Sequence, residues 1–305
     1  MSNLNNNFNN TIQGFVAATF TPFNKSGELQ LEAIPRYVDY LVQSGMSGLY
    51  VCGTNGEGVS MSVEERKQTA EAFFTASAGR IPVIAQIGAN SLKDSCELAA
   101  HAQSAGIPYI SANAPSYFTI NSTEVLADYM TQIAAAAPKT PFYYYHIPRF
   151  TSVVPDMTKF LQKMESQCPN FFGIKYSDPA VFLYQEALEY KNGKYSILWG
   201  CDEMFLSALA VGSQGAVGST YPLIPQVYHT LLNSWKIGGL PAARKAQQQS
   251  WHFVKVLLSF GHIIAVQKAV MSILGYNLGT CRLPIPALSA DSEKQLAVAL
   301  QKFNE

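Results

Sequence analysis

Charge is scarce in these 305 residues: Asp, Glu, Lys and Arg supply 14%, and 21 basic residues balance 21 acidic ones. No bulk field draws such a chain to nucleic acid, an anionic membrane or an acidic partner, so any anion it binds must be held by local groups. Cysteine is sparse as well. Cys52, Cys96, Cys168, Cys201 and Cys281 lie far apart with no CxxC pair, which excludes a disulfide scaffold and reads as reduced thiols in a cytoplasmic protein. The opening MSNLNNNFNN lacks the basic start and apolar stretch of a secretion signal, and no uninterrupted apolar span approaches the roughly 20 residues of a membrane helix. His101, His146, His229, His252 and His262 show no HExxH or other ligand spacing, so no metal is expected.

What is present is apolar. With 48% hydrophobic residues the chain can bury one large core. From residue 14 onward, short apolar runs alternate with longer segments of helical period, the pattern of repeated βα units on a parallel sheet. The runs are GFVAATF (14–20), GLYVC (48–52), PVIAQIG (82–88), YISAN (109–113), FYYYHI (142–147), FFGIK (171–175), SILWG (196–200) and GAVGS (215–219). Helix starts fall between them. Ser62 with Glu65 and Asn121 with Glu124 have capping-box spacing, Ser91 with Asp94 resembles it, and Asp178 precedes a first-turn Pro179. Eight such units without a long linker suit an α/β chain closed as a (β/α)₈ TIM barrel better than an open sheet. The expected organisation is a flexible tail at 1–12, the barrel at 13–240, and helices packed on it at 241–305.

In a barrel of this kind the loops after the strands share one face, where active sites are built. The unusual residues collect in those loops. Lys175 ends the apolar run FFGIK. A lysine there either snorkels to water or pairs with Asp178, or it is held at the barrel mouth, where lost solvation lowers its pKa and frees a nucleophilic amine. Such an amine forms a Schiff base with a ketone. Tyr145, last before the Pro148 break, is either a packing aromatic or the phenol that moves a proton for that amine. GTNGEG (53–58) is either a tight turn or an anion cradle to which Thr54 and Asn55 add donors, and Glu57 ties the turn down. It lacks the GK[ST] of a phosphate loop and the GxGxxG of a dinucleotide fold. Asp202 and Glu203 in GCDE, which opens at Gly200, either favour a helix N-terminus or accept hydrogen bonds from substrate hydroxyls, a site to which Ser219 and Thr220 would add.

Taken in order and at these spacings, GTNGE, YHIP, GIKYSD, GCDE and GAVGSTY resemble the N-acetylneuraminate lyase and dihydrodipicolinate synthase superfamily over about residues 13 to 285. The resemblance implies (β/α)₈ homotetramers that join pyruvate to a lysine with neither metal nor organic cofactor. It puts the Schiff-base lysine on Lys175, the catalytic tyrosine on Tyr145 with Thr54 aiding it, and carboxylate binding on Thr54 and Asn55. It puts sugar contacts on Ser177, Gly200, Asp202, Glu203, Gly218 and Ser219, and a tyrosine lent across a subunit contact on Tyr117. Two positions depart from the pattern. Asn55 stands where a second Thr is usual, and Phe150 stands where the synthases carry an arginine, with Arg149 one place early. The implied activity is a reversible cleavage of a sialic acid to pyruvate and N-acetylmannosamine. The alternatives are another pyruvate-dependent aldolase or synthase, and a sugar-acid binding protein without turnover.

Overall fold

A computed structural model describes residues 11–304. Its eight strands are β1 (Gly14–Ala18), β2 (Gly48–Val51), β3 (Val83–Gln86), β4 (Tyr109–Asn113), β5 (Phe142–His146), β6 (Phe171–Tyr176), β7 (Ser196–Trp199) and β8 (Gly215–Gly218). All pair in parallel in chain order, and β1 also pairs with β8, which closes the barrel. Each expected run marks one strand, with β6 running one residue past FFGIK to Tyr176, because a parallel strand covered on both faces is apolar along its length. The helices are α1 (Ile34–Gln43), α2 (Val63–Ser77), α3 (Leu92–Ser104), α4 (Thr123–Ala135), α5 (Pro148–Thr151), α6 (Met157–Gln167), α7 (Val181–Glu189), α8 (Phe205–Ala210), α9 (Pro225–Lys236), α10 (Leu240–Leu258), α11 (Ile263–Ile273) and α12 (Ala290–Asn304). No single helix among the described residues is long and apolar enough to cross a membrane.

Two helix starts follow the sequence expectation and two move. Ser62 and Glu65 make both bonds of a capping box, and the Ser91 hydroxyl accepts the Asp94 N–H. At α4 the cap is Ser122, which accepts from Val125, in place of Asn121. Asp178 does not cap α7; its Oδ1 accepts the N–H of Ala180, so a local turn precedes the helix.

Alternation along the strands makes two cores. Val16, Ala18, Tyr50, Ile84, Tyr143, Tyr145, Phe172, Leu198 and Val217 fill the barrel, and a larger cluster that includes Phe15, Val51, Tyr144, Ile174 and Trp199 lies between strands and helices. Of the expected tail, residues 1–10 lie outside the described residues, and Ile12 is buried with the barrel interior. Beyond α9, every residue of α11 from Ile264 to Met271 is buried, Gln267 and Lys268 included. Lys268 meets Glu57 at 2.7 Å, which fastens α11 to the turn after β2.

Strand β6 holds the feature that decides the site. Phe142 aligns with Phe171 but Tyr143 aligns with Gly173, so β6 carries one extra residue between them. Strict alternation from Phe171, which faces the helices, would turn residue 175 toward the helices too. The extra residue resets the parity, so Phe172 faces inward, Ile174 outward and Lys175 inward. A Cβ on Gly173 would lie 1.8 Å from the Ser196 carbonyl oxygen, so only glycine lets the bulged strand approach β7.

Candidate active site

Tyr145 and Lys175 are register partners on neighbouring strands. Both are buried, and the Lys175 Nζ lies 3.9 Å from the ring centroid of Tyr145 and 3.9 Å from that of Tyr50. The Tyr50 hydroxyl is anchored on Ser111 at 3.0 Å, so this second ring is fixed. Burial brings the Lys175 amine down from its ordinary 10.5 to about 7, with the nearby Asp202 charge opposing the shift. A substantial part of the lysine is therefore a neutral nucleophile near neutral pH.

Thr54, carried by the turn after β2, shares a 3.2 Å hydrogen bond with the Tyr145 hydroxyl. Burial raises that phenol to about 12, against the pull of the Thr54 and Ser177 hydroxyls. It thus stays protonated near neutrality. A phenol in that state accepts a proton only while passing its own onward, so it can serve as a relay and not as a free base.

The turn itself is built by backbone strain and close approach. Cys52 and Glu57 have left-handed backbones, at φ 58° and 54°, and a Cβ on Gly58 would lie 2.0 Å from the Cys52 carbonyl oxygen. Glu57 is buried and takes no part in the mouth: its two oxygens accept from Lys268 at 2.7 Å and from the Arg282 N–H at 2.8 Å. That is the anchoring role expected of it. Asn55 donates from Nδ2 to Gln267 Oε1 at 2.8 Å, and Gln267 Nε2 donates to the Ser219 hydroxyl at 2.9 Å.

Asp202 and Glu203 open a single turn of 3-10 helix after β7, and neither caps it with its side chain. Asp202 is buried. Its Oδ2 accepts the Thr220 N–H at 2.8 Å and the Thr220 hydroxyl at 2.7 Å. Burial pushes its carboxyl up to about 6. Thr220 therefore orients Asp202, with its oxygen also shared with Tyr228 at 2.6 Å, and does not join the mouth as the sequence suggested. Two glycines make room here. A Cβ on Gly218 would fall 1.8 Å from Asp202 Oδ1, and one on Gly200 would fall 2.1 Å from Ser177 Oγ. Glu203 and Ser219 are half-buried beside them.

Tyr117 does not join this group. It stands 81% exposed on the loop between β4 and α4, edge-on to the equally exposed Phe118. Arg149 and Phe150 are also exposed, with the guanidinium 5.7 Å from the Phe150 ring. His146 packs on the Tyr176 ring on the outer face, where burial lowers it to about 4. Sequence reasoning missed Tyr50 and Gln267. The inward parity of GLYVC could have flagged Tyr50, whereas nothing local marks Gln267 within an apolar helix.

The chain matches the model of the Dihydrodipicolinate synthetase family over residues 11–303. It is 40% identical over 278 residues to N-acetylneuraminate lyase A of Xenopus laevis, covering 90% of each chain. The structure superposes on Proteus mirabilis N-acetylneuraminate lyase with a TM-score of 0.94 at 34% identity, over 97% of this chain and 99% of that one. A catalytic lysine mutant of the Ruminococcus gnavus sialic acid aldolase superposes at 0.90 with 32% identity, over 100% and 99% of the two chains. A match along almost the whole length, in sequence and in fold, shows that the chain belongs to the dihydrodipicolinate synthetase family.

Proposed function

We propose that this chain is a Schiff-base aldolase that cleaves N-acetylneuraminate reversibly to pyruvate and N-acetylmannosamine. The observation that carries the reading is a buried amine with a lowered pKa, beside a phenol that is hydrogen-bonded to Thr54. The names of its relatives, N-acetylneuraminate lyase and sialic acid aldolase, point to the same substrate.

Lys175 attacks the C2 ketone of the open-chain sugar acid, and loss of water leaves a protonated imine. Tyr145 takes the C4 hydroxyl proton while its own passes to an adjacent acceptor, the substrate carboxylate. The C3–C4 bond then breaks: its electrons enter the imine, C4 becomes the aldehyde of N-acetylmannosamine, and the pyruvate enamine remains. Protonation at C3 and hydrolysis release pyruvate and restore the amine. Thr54 and Asn55 hold the carboxylate. Ser177, Asp202, Glu203 and Ser219 accept from or donate to the sugar hydroxyls, with Gly200 and Gly218 keeping the approach open.

Phe150 favours sialic acid over the dicarboxylic product of the synthases, because no guanidinium stands at that position and Arg149 points into solvent beside it. The exposed Tyr117–Phe118 pair fits a subunit contact of a homotetramer. Five unpaired thiols fit a reducing compartment, the cytoplasm. Incubation with N-acetylneuraminate should release pyruvate, and pyruvate with aspartate semialdehyde should not condense. Condensation without cleavage would reassign the chain to the synthases, and saturable binding without turnover would make it a binding protein.

A further inference from the structure

Gln267 is 1% exposed on α11, whose buried residues from Ile264 to Met271 are otherwise apolar apart from the neighbouring Lys268. A buried amide is costly unless both its ends are bonded. Here both are, and the partners are two residues of the candidate site: Oε1 accepts from Asn55 Nδ2 at 2.8 Å, and Nε2 donates to Ser219 Oγ at 2.9 Å. Asn55 follows β2 and Ser219 follows β8, and both strands flank β1. The amide therefore bridges two loops across β1. Lys268, the next residue, holds Glu57 in the same turn, so consecutive side chains of α11 are committed to residues 55 and 57.

We infer that Gln267 is a positioning residue that makes the Asn55 amide and the Ser219 hydroxyl hydrogen-bond donors toward the substrate. An asparagine side chain left alone can present either its oxygen or its nitrogen, and a serine hydroxyl rotates freely. Gln267, with its oxygen toward Asn55 and its nitrogen toward Ser219, couples the two and sets both as donors. Its oxygen holds Nδ2 of Asn55, which leaves the second N–H of that nitrogen available. Its nitrogen fills a lone pair of Ser219, which leaves the serine O–H to donate. A sugar acid, rich in carboxylate and hydroxyl oxygens, is what two such donors suit. Asn55, in place of the usual Thr, and Gln267 thus act as one unit.

This role rests on the aldolase reading above, and the experiment separates the two. Steady-state cleavage of N-acetylneuraminate is measured for the wild type, Gln267→Glu, Gln267→Leu, Asn55→Thr and the double variant Gln267→Leu/Asn55→Thr, with thermal unfolding of each. Gln267→Glu keeps the shape and, above the pH at which its carboxyl ionises, can only accept, so it captures the Ser219 O–H. Its KM should rise about tenfold with kcat changed less than about threefold. Gln267→Leu should raise KM at least as much, and adding Asn55→Thr to it should cost less than Asn55→Thr costs alone, a non-additivity that reports the pair. Should Gln267→Leu fail to fold, the isosteric Gln267→Glu decides by its KM. An unchanged KM in Gln267→Glu with an active wild type overturns the positioning role alone. A wild type that neither cleaves the sugar acid nor traps pyruvate overturns the aldolase reading, and this role with it.

Discussion

Lys175 and Tyr145 stand side by side in register on β6 and β5, with the lysine nitrogen 3.9 Å from the tyrosine ring centroid. That arrangement depends on one extra residue in β6, below the lysine. It brings the lysine amine and the tyrosine phenol, the proposed nucleophile and proton relay, to the same face of the barrel, under a turn that supplies Thr54.

Tyr145→Phe should leave the fold intact and lower kcat by about 10² to 10⁴, because the ring still packs while the relay is gone. Thr54→Val should cost less. The double variant should cost less than the product of the two, since Thr54 acts through the Tyr145 hydroxyl. Single-turnover kinetics of sialic acid cleavage would measure all three.

Lys175→Met should make the protein more stable near neutral pH. The folded pKa of Lys175 lies near 7 and the ordinary value is 10.5, so between them the unfolded chain binds more protons and stability rises with pH. Below about 7 the burial cost of the charged amine is felt in full, and near 10.5 it is gone. Denaturant unfolding should show the variant ahead by on the order of a few kcal/mol at pH 6 to 7, with the gap closing toward pH 10. A gap that widens with pH would contradict the assigned burial cost.

Gly173→Ala should damage activity more than its distance from the reacting atoms suggests. The added Cβ would collide with the Ser196 carbonyl oxygen, and relief requires β6 to move or lose its bulge, which turns Lys175 away from Tyr145. Expected outcomes are loss of more than about 1 kcal/mol of stability and of most pyruvate adduct formation. Chemical unfolding and borohydride trapping check them.

Asp202→Asn should raise KM for the sugar acid about tenfold or more while pyruvate still reaches Lys175. The variant's one amide oxygen can still hold the two Thr220 bonds, but an NH2 then replaces the acceptor for a sugar hydroxyl. Losing the Asp202 charge lowers the Lys175 pKa further, so the amine that captures pyruvate stays available. Comparing KM for N-acetylneuraminate with the rate of pyruvate trapping separates the two ends of the site.

The barrel was legible because buried parallel strands are written as apolar runs, and the runs GLYVC and YISAN bracket their strands closely. Helix starts were less so: Asn121 and Ser122 are both good caps, and only the path of the chain decides for Ser122. Lys175 and Tyr145 stood out as polar groups at strand ends. Their pairing was expected from chemistry and from the resemblance but not from strand alternation, since strict alternation through FFGIK takes no account of the bulge at Gly173. Gln267 and the Glu57–Lys268 pair were illegible for another reason. More than 200 residues separate each from its partner, 212 for Asn55 with Gln267 and 211 for Glu57 with Lys268, and no local pattern carries a contact of that range.

The most direct test of the central claim is borohydride reduction of the protein with pyruvate, followed by mass analysis of its peptides across pH. The account predicts one reduced adduct, on Lys175, with a rate of formation that rises through about pH 7 as the amine loses its proton. An adduct on another lysine, or none on Lys175 at any pH, would contradict it.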